Sequence, residues 1–362
     1  MRICCGFRRL SMMTAMVCVS LAAQAAPSPS AGCGGTSLAS GIHTLQRQGL
    51  TRTYRLHLPS GYSATRPAPL VIVFHGWGGD ENEFLDDASV KRETDTHGYV
   101  VVAPRGLGAG APDERRNSWT FRGSASGIAG KSAENPLPQK TFPRKSAPIC
   151  DTGLTSDYRY PSCKRGIAGN TCSWTQCQDD DVDFTLELLQ QVESQLCIDT
   201  ARVFATGGSN GGMFTWELGQ NPRSAPLFRA IAPLIGLPHR GYLDGPARAQ
   251  GMPVLLITGT RDTTVPPGAW NDARHTTTSN GNDRYYYTGA TAITRQWAAA
   301  AQCDIRRSPA PVDTGSPPAD CRSYCTGTAD KWPSVLDCRA PMGHDYGLAW
   351  SWKLILDFFD QR

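Results

Sequence analysis

Val203-Phe204-Ala205-Thr206-Gly207-Gly208-Ser209-Asn210-Gly211-Gly212-Met213, followed by a helix-compatible run to Gln220, decides how the chain is read. An apolar run, Val203 to Thr206, leads into G-x-S-x-G, and Met213 to Gln220 leads out. A bare G-x-S-x-G is weak in a chain with 37 Gly, so the strand before it and the helix after it carry the reading. A strand-to-helix turn this tight forces the serine backbone into a strained conformation. Gly207 and Gly211 leave room for that turn, and the Ser209 hydroxyl then projects from the top of a sheet.

A serine hydroxyl attacks only when a base takes its proton, and the base needs a partner that holds its tautomer. In the chain order serine, acid, histidine, the acid follows a later strand and the histidine precedes the last helix. Asp262, past the apolar run Val254 to Thr258, and His344, just before a terminal helical pattern, meet these conditions. His43, His57, His75 and His97 precede the nucleophile, and His239 precedes the candidate acid. His275 is the rival base, and Asp272, Asp283 and Asp345 are the rival acids, with Asp345 disfavoured by its adjacency to His344. An oxyanion needs backbone donors, and His75-Gly76-Trp77-Gly78-Gly79 follows the apolar run Leu70 to Phe74, where such a fold supplies one. The amides of Trp77 and Asn210 are the expected pair.

Further short continuous apolar runs at Val100 to Ala103 and Ala230 to Leu234 suit central strands covered on both faces, and Tyr54, Leu56 and Leu58 alternate as in a half-buried one. Helical spacing appears in Val182 to Leu196, Ile293 to Ala301 and Leu348 to Phe359. Strand and helix in alternation predict an α/β fold, with a mostly parallel sheet and helices on both faces. No internal repeat or linker divides the chain, so 26–362 is expected to be a single catalytic domain.

The 362 residues are 40% hydrophobic and 19% charged, a globular composition, and a net charge of +4 gives no sign of a nucleic-acid surface. Arg2, Arg8 and Arg9, the small apolar run Leu10 to Ala23, and Ala23-Gln24-Ala25 together read as a signal peptide over 1–25, too short for a membrane span. Cleavage would remove those three Arg and three of the 13 Cys, leaving ten Cys and a charge of +1. The expectation is a secreted or periplasmic protein, not held at a membrane after cleavage, with up to five disulfides.

Cys150, Cys163, Cys172 and Cys177 fall in a Gly-, Pro- and Ser-rich stretch, 106–178, that reads as a stapled surface insertion. Cys303, Cys321, Cys325 and Cys338 surround a second Pro-rich loop, and Cys33 and Cys197 stand apart. Pairing within each group is the simplest expectation, although spacing does not fix connectivity. Zinc at Cys172/Cys177 or Cys321/Cys325 is the competing reading, disfavoured by the spacing and by export.

The chain resembles the secreted α/β-hydrolase esterases of the polyhydroxybutyrate depolymerase-like and feruloyl esterase family. The likeness rests on Leu70-Val71-Ile72-Val73-Phe74-His75-Gly76, Asp181-Val182-Asp183-Phe184, Ser209-Asn210-Gly211-Gly212-Met213, Gly259-Thr260-Arg261-Asp262-Thr263-Thr264-Val265-Pro266 and Gly343-His344. It implies nucleophile Ser209, acid Asp262, base His344 and no metal or organic cofactor. The implied partner is an ester substrate, linked to polysaccharide or polyester. Two departures bear on specificity: the 106–178 stretch is larger than is usual, and Asp345-Tyr346-Gly347 stands where Trp-Pro-Gly is common. Trp77, Trp119 and Trp174 in the cleft-bordering loops suit stacking on a feruloyl ring or a sugar of plant polysaccharide, and equally suit packing of those loops around disulfides. The alternatives are an extracellular polyester depolymerase, a secreted serine peptidase, and a catalytically inactive binding protein on the same scaffold.

Overall fold

Twelve strands and five α-helices are built from the 26–36, 38–108, 116–121, 124, 178–240, 251–271, 276–279, 285–325 and 332–362 segments, the residues that the computed structural model describes. The strands are β1 (Gly41–Arg47), β2 (Leu50–His57), β3 (Ala68–Phe74), β4 (Val100–Pro104), β5 (Ile198–Gly208), β6 (Ala230–Leu234), β7 (Val254–Gly259), β8 (Thr276–Thr278), β9 (Tyr286–Thr288), β10 (Ala310–Val312), β11 (Asp320–Ser323) and β12 (Val335–Ala340). The helices are α1 (Ala88–His97), α2 (Asp181–Gln195), α3 (Asn210–Gln220), α4 (Ala290–Ala300) and α5 (Leu348–Phe359).

Ten of the strands form one sheet in the order β1-β2-β4-β3-β5-β6-β7-β12-β11-β10, and β8 and β9 form a separate antiparallel pair. From β4 to β12 every pairing is parallel, whereas β1, β2, β10 and β11 join antiparallel at the two edges. This is the α/β-hydrolase arrangement, extended by two short strands beyond β12. The chain leaves β3 toward β4 on one side and returns to β5 on the other, so the order reverses between β3 and β5. The carboxyl ends of those two strands flank the crevice that such a reversal opens.

Each central strand is buried on both faces, as continuous apolar runs require. Leu70, Ile72 and Phe74 turn toward Val182, Phe184 and Leu188 of α2, Phe214 and Trp216 of α3, and Trp297 of α4. Val71 and Val73 turn toward Val90 of α1 and Trp352, Ile355 and Phe359 of α5. α2 starts where Asp180 accepts the amides of Val182 (3.0 Å) and Asp183 (3.4 Å), a side-chain N-cap, and α1 is capped in the same way by Asp87.

Fully buried Arg52 ties β2 to α2. Its guanidinium donates to Asp179 and to Asp181 (2.6 Å) and lies 3.6 Å over the Phe184 ring.

Three disulfides lie among the described residues: Cys33–Cys197, Cys303–Cys325 and Cys321–Cys338. The two cysteines that stand apart in sequence are thus partners. Cys321 and Cys338 are not loop residues, as their Pro-rich surroundings suggest, but directly opposed residues of β11 and β12. The same bonds leave neither Cys321 nor Cys325 for zinc. Cys150, Cys163, Cys172 and Cys177, the signal segment 1–25 and most of 106–178 lie outside the described residues. The described part of that stretch corrects its reading as a surface excursion: Ser118, Trp119, Thr120 and Phe121 are buried in the core beside α3. Low periodicity hid them, because six residues are too few to show a pattern. No helix among the described residues is long and apolar enough to cross a membrane.

Candidate active site

The turn between β5 and α3 places Ser209 at φ 52° and ψ −116°, in the positive-φ region that a side chain disfavours. Glycine makes the turn possible. A Cβ on Gly211 would collide with the Phe74 carbonyl, and one on Gly207 would come within 2.7 Å of the Gly211 backbone. Any larger residue at either position would push α3 off the ends of β3 and β5. The Ser209 amide donates to the Leu234 carbonyl at 2.9 Å, which fastens the turn to β6. Serine is a preferred N-cap, yet here its hydroxyl makes no capping bond. It points to His344 instead, with Ser209 Oγ 2.9 Å from His344 Nε2.

His344 Nδ1 lies 2.7 Å from Asp262 Oδ2. A carboxylate only accepts, so Nδ1 carries the proton, and Nε2 is left to accept from the serine hydroxyl. The Asp262 side chain is fully buried, and its other oxygen accepts the amides of Thr264 (2.8 Å) and Val265 (2.9 Å). Those two bonds lock the rotamer that aims Oδ2 at the imidazole. The loop carrying His344 is held to the loop carrying Asp262 by the Thr260 amide on the Ala340 carbonyl (2.8 Å) and the Arg261 amide on the Met342 carbonyl (3.0 Å). The His344 side chain is 27% exposed, so the imidazole faces the cleft while the Asp262 carboxylate does not. Asp345 points elsewhere, accepting the Gly347 amide at 2.7 Å. His275, Asp272 and Asp283 lie outside the described residues.

The loop after β3 lies against the same serine: a Cβ on Gly76 would sit 3.6 Å from Ser209 Cβ. Three of its amides are committed to protein partners. Gly76 donates to Glu83 Oε1 (3.0 Å), Gly78 to the Asn117 carbonyl (2.8 Å) and Gly79 to the Gly76 carbonyl (3.1 Å). His75 Nδ1 also lies 2.6 Å from the Gly76 carbonyl and must donate to it, while His75 Nε2 accepts the Gly106 amide at 2.8 Å. In a trans peptide the Trp77 N–H points opposite to the Gly76 carbonyl. The His75 ring therefore sets the direction of that amide. Burial pushes the His75 pKa down to about 4, so the imidazole is neutral at pH 7, as both of its hydrogen bonds require. Asn210, the other expected donor, begins α3, where the first amides have no intrahelical acceptor and the helix dipole is positive.

Trp119 takes the packing role and not the stacking one. It is fully buried, stacked on Phe214 at 5.7 Å and edge-on to Phe74 at 5.1 Å, so it offers no face to a substrate ring or sugar. Its indole N–H donates to the His75 carbonyl (2.8 Å) and its amide to Asn210 Oδ1 (2.9 Å), bridging the two sides of the serine. Trp77 is half-buried, and Trp174 lies outside the described residues. Glu83 and Asn117, which bond to the loop after β3, are residues that sequence reasoning did not single out. Only their hydrogen bonds to that loop, at Gly76 and Gly79, mark them. Among the described residues no group of three or more His, Cys, Asp or Glu is placed to hold a metal ion.

No protein-family model matches the chain. Feruloyl esterase D of Neurospora crassa is 26% identical over 239 residues, covering 66% of this chain and 64% of the relative. Feruloyl esterase C of Emericella nidulans is 25% identical over 213 residues, covering 57% and 53%. The chain thus spans between half and two thirds of the length of these curated relatives. Among solved structures, an acetyl xylan esterase from Aspergillus awamori aligns with a TM-score of 0.49 at 14% identity, covering 89% of this chain and 100% of that one.

Proposed function

We propose that the chain is an exported serine esterase that cleaves feruloyl or acetyl esters of plant polysaccharide through an acyl-enzyme. The observation that carries the reading is the unbroken relay from Ser209 Oγ to His344 Nε2 and from His344 Nδ1 to buried Asp262, on a strained strand-to-helix turn. Ser209 is the nucleophile, His344 the base, Asp262 the residue that holds the imidazole, and the Trp77 and Asn210 amides the oxyanion donors.

As Oγ attacks the ester carbonyl carbon, its proton passes to Nε2, and the imidazolium is stabilised by Asp262 without taking its proton across. The carbonyl oxygen becomes an anion beside the Trp77 and Asn210 amides and the positive end of α3. Nε2 then protonates the departing alcohol, leaving the acyl group on Ser209. A water molecule gives its proton to Nε2, attacks the acyl carbon and releases the acid, and Oγ recovers the proton.

The substrate class is favoured by the relatives, two of which are named feruloyl esterases. Export is favoured by the arginine-led apolar start of the sequence and by three disulfides, which persist in oxidising compartments. One catalytic domain, 26–362, is the corresponding organisation. Methyl ferulate and a polyhydroxybutyrate suspension, offered side by side, test the substrate. Release of ferulate without clearing of the suspension is expected, and clearing without release would replace the polysaccharide reading with a polyester one.

A further inference from the structure

Tyr346 stands two residues past His344, and its side chain reaches across to the loop on the other side of the serine. A Cβ on Gly208 would collide with its ring, and one on Gly76 with its hydroxyl, so the ring fills the space between the two loops that frame Ser209. It stacks on Phe84 at 5.0 Å with 13° between the planes, and Ser351 Oγ donates to its carbonyl at 2.7 Å. The hydroxyl donates to Glu83 Oε1, and that same oxygen accepts the Gly76 amide at 3.0 Å. One carboxylate oxygen thus joins the loop of the base to the loop of the oxyanion donor.

The strand order shows why a link is needed. The oxyanion loop follows β3 and the base loop follows β12, and β5, β6 and β7 lie between them. No ladder bond can connect the two. The other bonds described above hold each loop to its own neighbours: the oxyanion loop to Asn117, Trp119 and Gly106, and the base loop to Thr260 and Arg261. Burial raises the Tyr346 pKa well above its ordinary value, so the phenol keeps its proton and donates it to Glu83.

We propose that Tyr346 and Glu83 are positioning residues for ester cleavage: the phenol, through the carboxylate, fixes the His344 loop in register with the Gly76–Trp77 peptide. The inference rests on the acyl-enzyme reading. The oxyanion donor acts on charge that exists only in the transition state, so slack between the loops lowers kcat rather than raising KM.

Wild type, Tyr346→Phe, Glu83→Gln and Glu83→Ala are compared on p-nitrophenyl acetate, with active sites counted by fluorophosphonate titration. Tyr346→Phe, which keeps the ring and its packing, is expected to lower kcat per titrated site about tenfold and to leave KM within about twofold. Inhibition by phenylboronate, whose serine adduct mimics the tetrahedral intermediate, is expected to weaken by the same factor. Glu83→Gln, which retains a carbonyl acceptor, is expected to keep more activity than Glu83→Ala. Wild-type kcat and boronate affinity in Tyr346→Phe would overturn the proposal, and so would a rise in KM alone, which would make Tyr346 a substrate wall. If Tyr346→Phe yields no titratable sites, equal kcat in Glu83→Gln and Glu83→Ala refutes the proposal, and the expected difference upholds it. Failure of the esterase reading itself looks different, because wild type and Ser209→Ala would then hydrolyse the ester at the same rate.

Discussion

Acid should loosen the fold through His75, and the size of the effect follows from where that ring sits. In the folded chain burial lowers its pKa to about 4, with Arg105 and Arg52 adding to the effect, against an ordinary value of 6.5. Between those values the unfolded chain binds a proton at this position and the folded chain does not. Stability is therefore complete above pH 6.5 and drains away as the pH falls toward 4. At about 1.4 kcal/mol per pH unit, the loss between pH 7 and pH 4.5 is roughly 2.5 kcal/mol from this residue. His239, buried against Tyr285 and Tyr287 and pushed down to about 3, adds a loss of the same sign. His97 works in the opposite direction, because its hydrogen bond to Asp360 raises its pKa. A His75→Asn variant keeps a donor near the Gly76 carbonyl and removes the titration. Urea unfolding of both proteins at pH 7 and pH 4.5, at constant m-value, isolates the His75 share. Wild type should lose roughly 2.5 kcal/mol more than the variant over that interval. Equal losses would refute the buried neutral imidazole, and with it the claim that this ring aims the Trp77 amide.

Two further outcomes follow from the geometry. Asp262→Asn should reduce kcat by about 10³- to 10⁴-fold with little change in KM, since an amide in place of the carboxylate no longer selects the Nδ1–H tautomer; steady-state kinetics on p-nitrophenyl acetate measures it. Replacing both Cys33 and Cys197 by alanine removes a link that closes a 164-residue separation, and should cost about 2–5 kcal/mol in urea unfolding while leaving kcat unchanged.

What the sequence reveals here depends on how local each signal is. Ala230 to Leu234, Val254 to Thr258 and Leu348 to Phe359 are legible because a strand or helix buried by its own residues shows a period or a run, and β6, β7 and α5 fall on them. β12 is not legible, because Asp337 and Arg339 interrupt its apolar run. They are buried as an ion pair that sequence alone cannot match up. α1 is hidden for a related reason: only Val90 and Thr94 of its ten residues are buried, too few to show a helical stripe.

Chain order and flanking elements constrain the choice of Ser209, Asp262 and His344, and the structure places these three side chains within hydrogen-bonding distance of one another. The supporting residues carry no such signal. Trp119 reads as an exposed loop tryptophan in a Gly- and Pro-rich stretch, and only the packing of Phe74 and Phe214 around it reveals a buried strut. Glu83 and Tyr346 are 263 residues apart and meet only because β3 and β12 end on the same side of the sheet.

The central claim, that Ser209 is an activated nucleophile, is tested most directly by treating the folded protein with a fluorophosphonate and locating the adduct by peptide mass spectrometry. The account predicts one adduct per chain, on Ser209, abolished in Ser209→Ala and strongly slowed in His344→Ala. An unlabelled Ser209, or labelling that persists in Ser209→Ala, would contradict it.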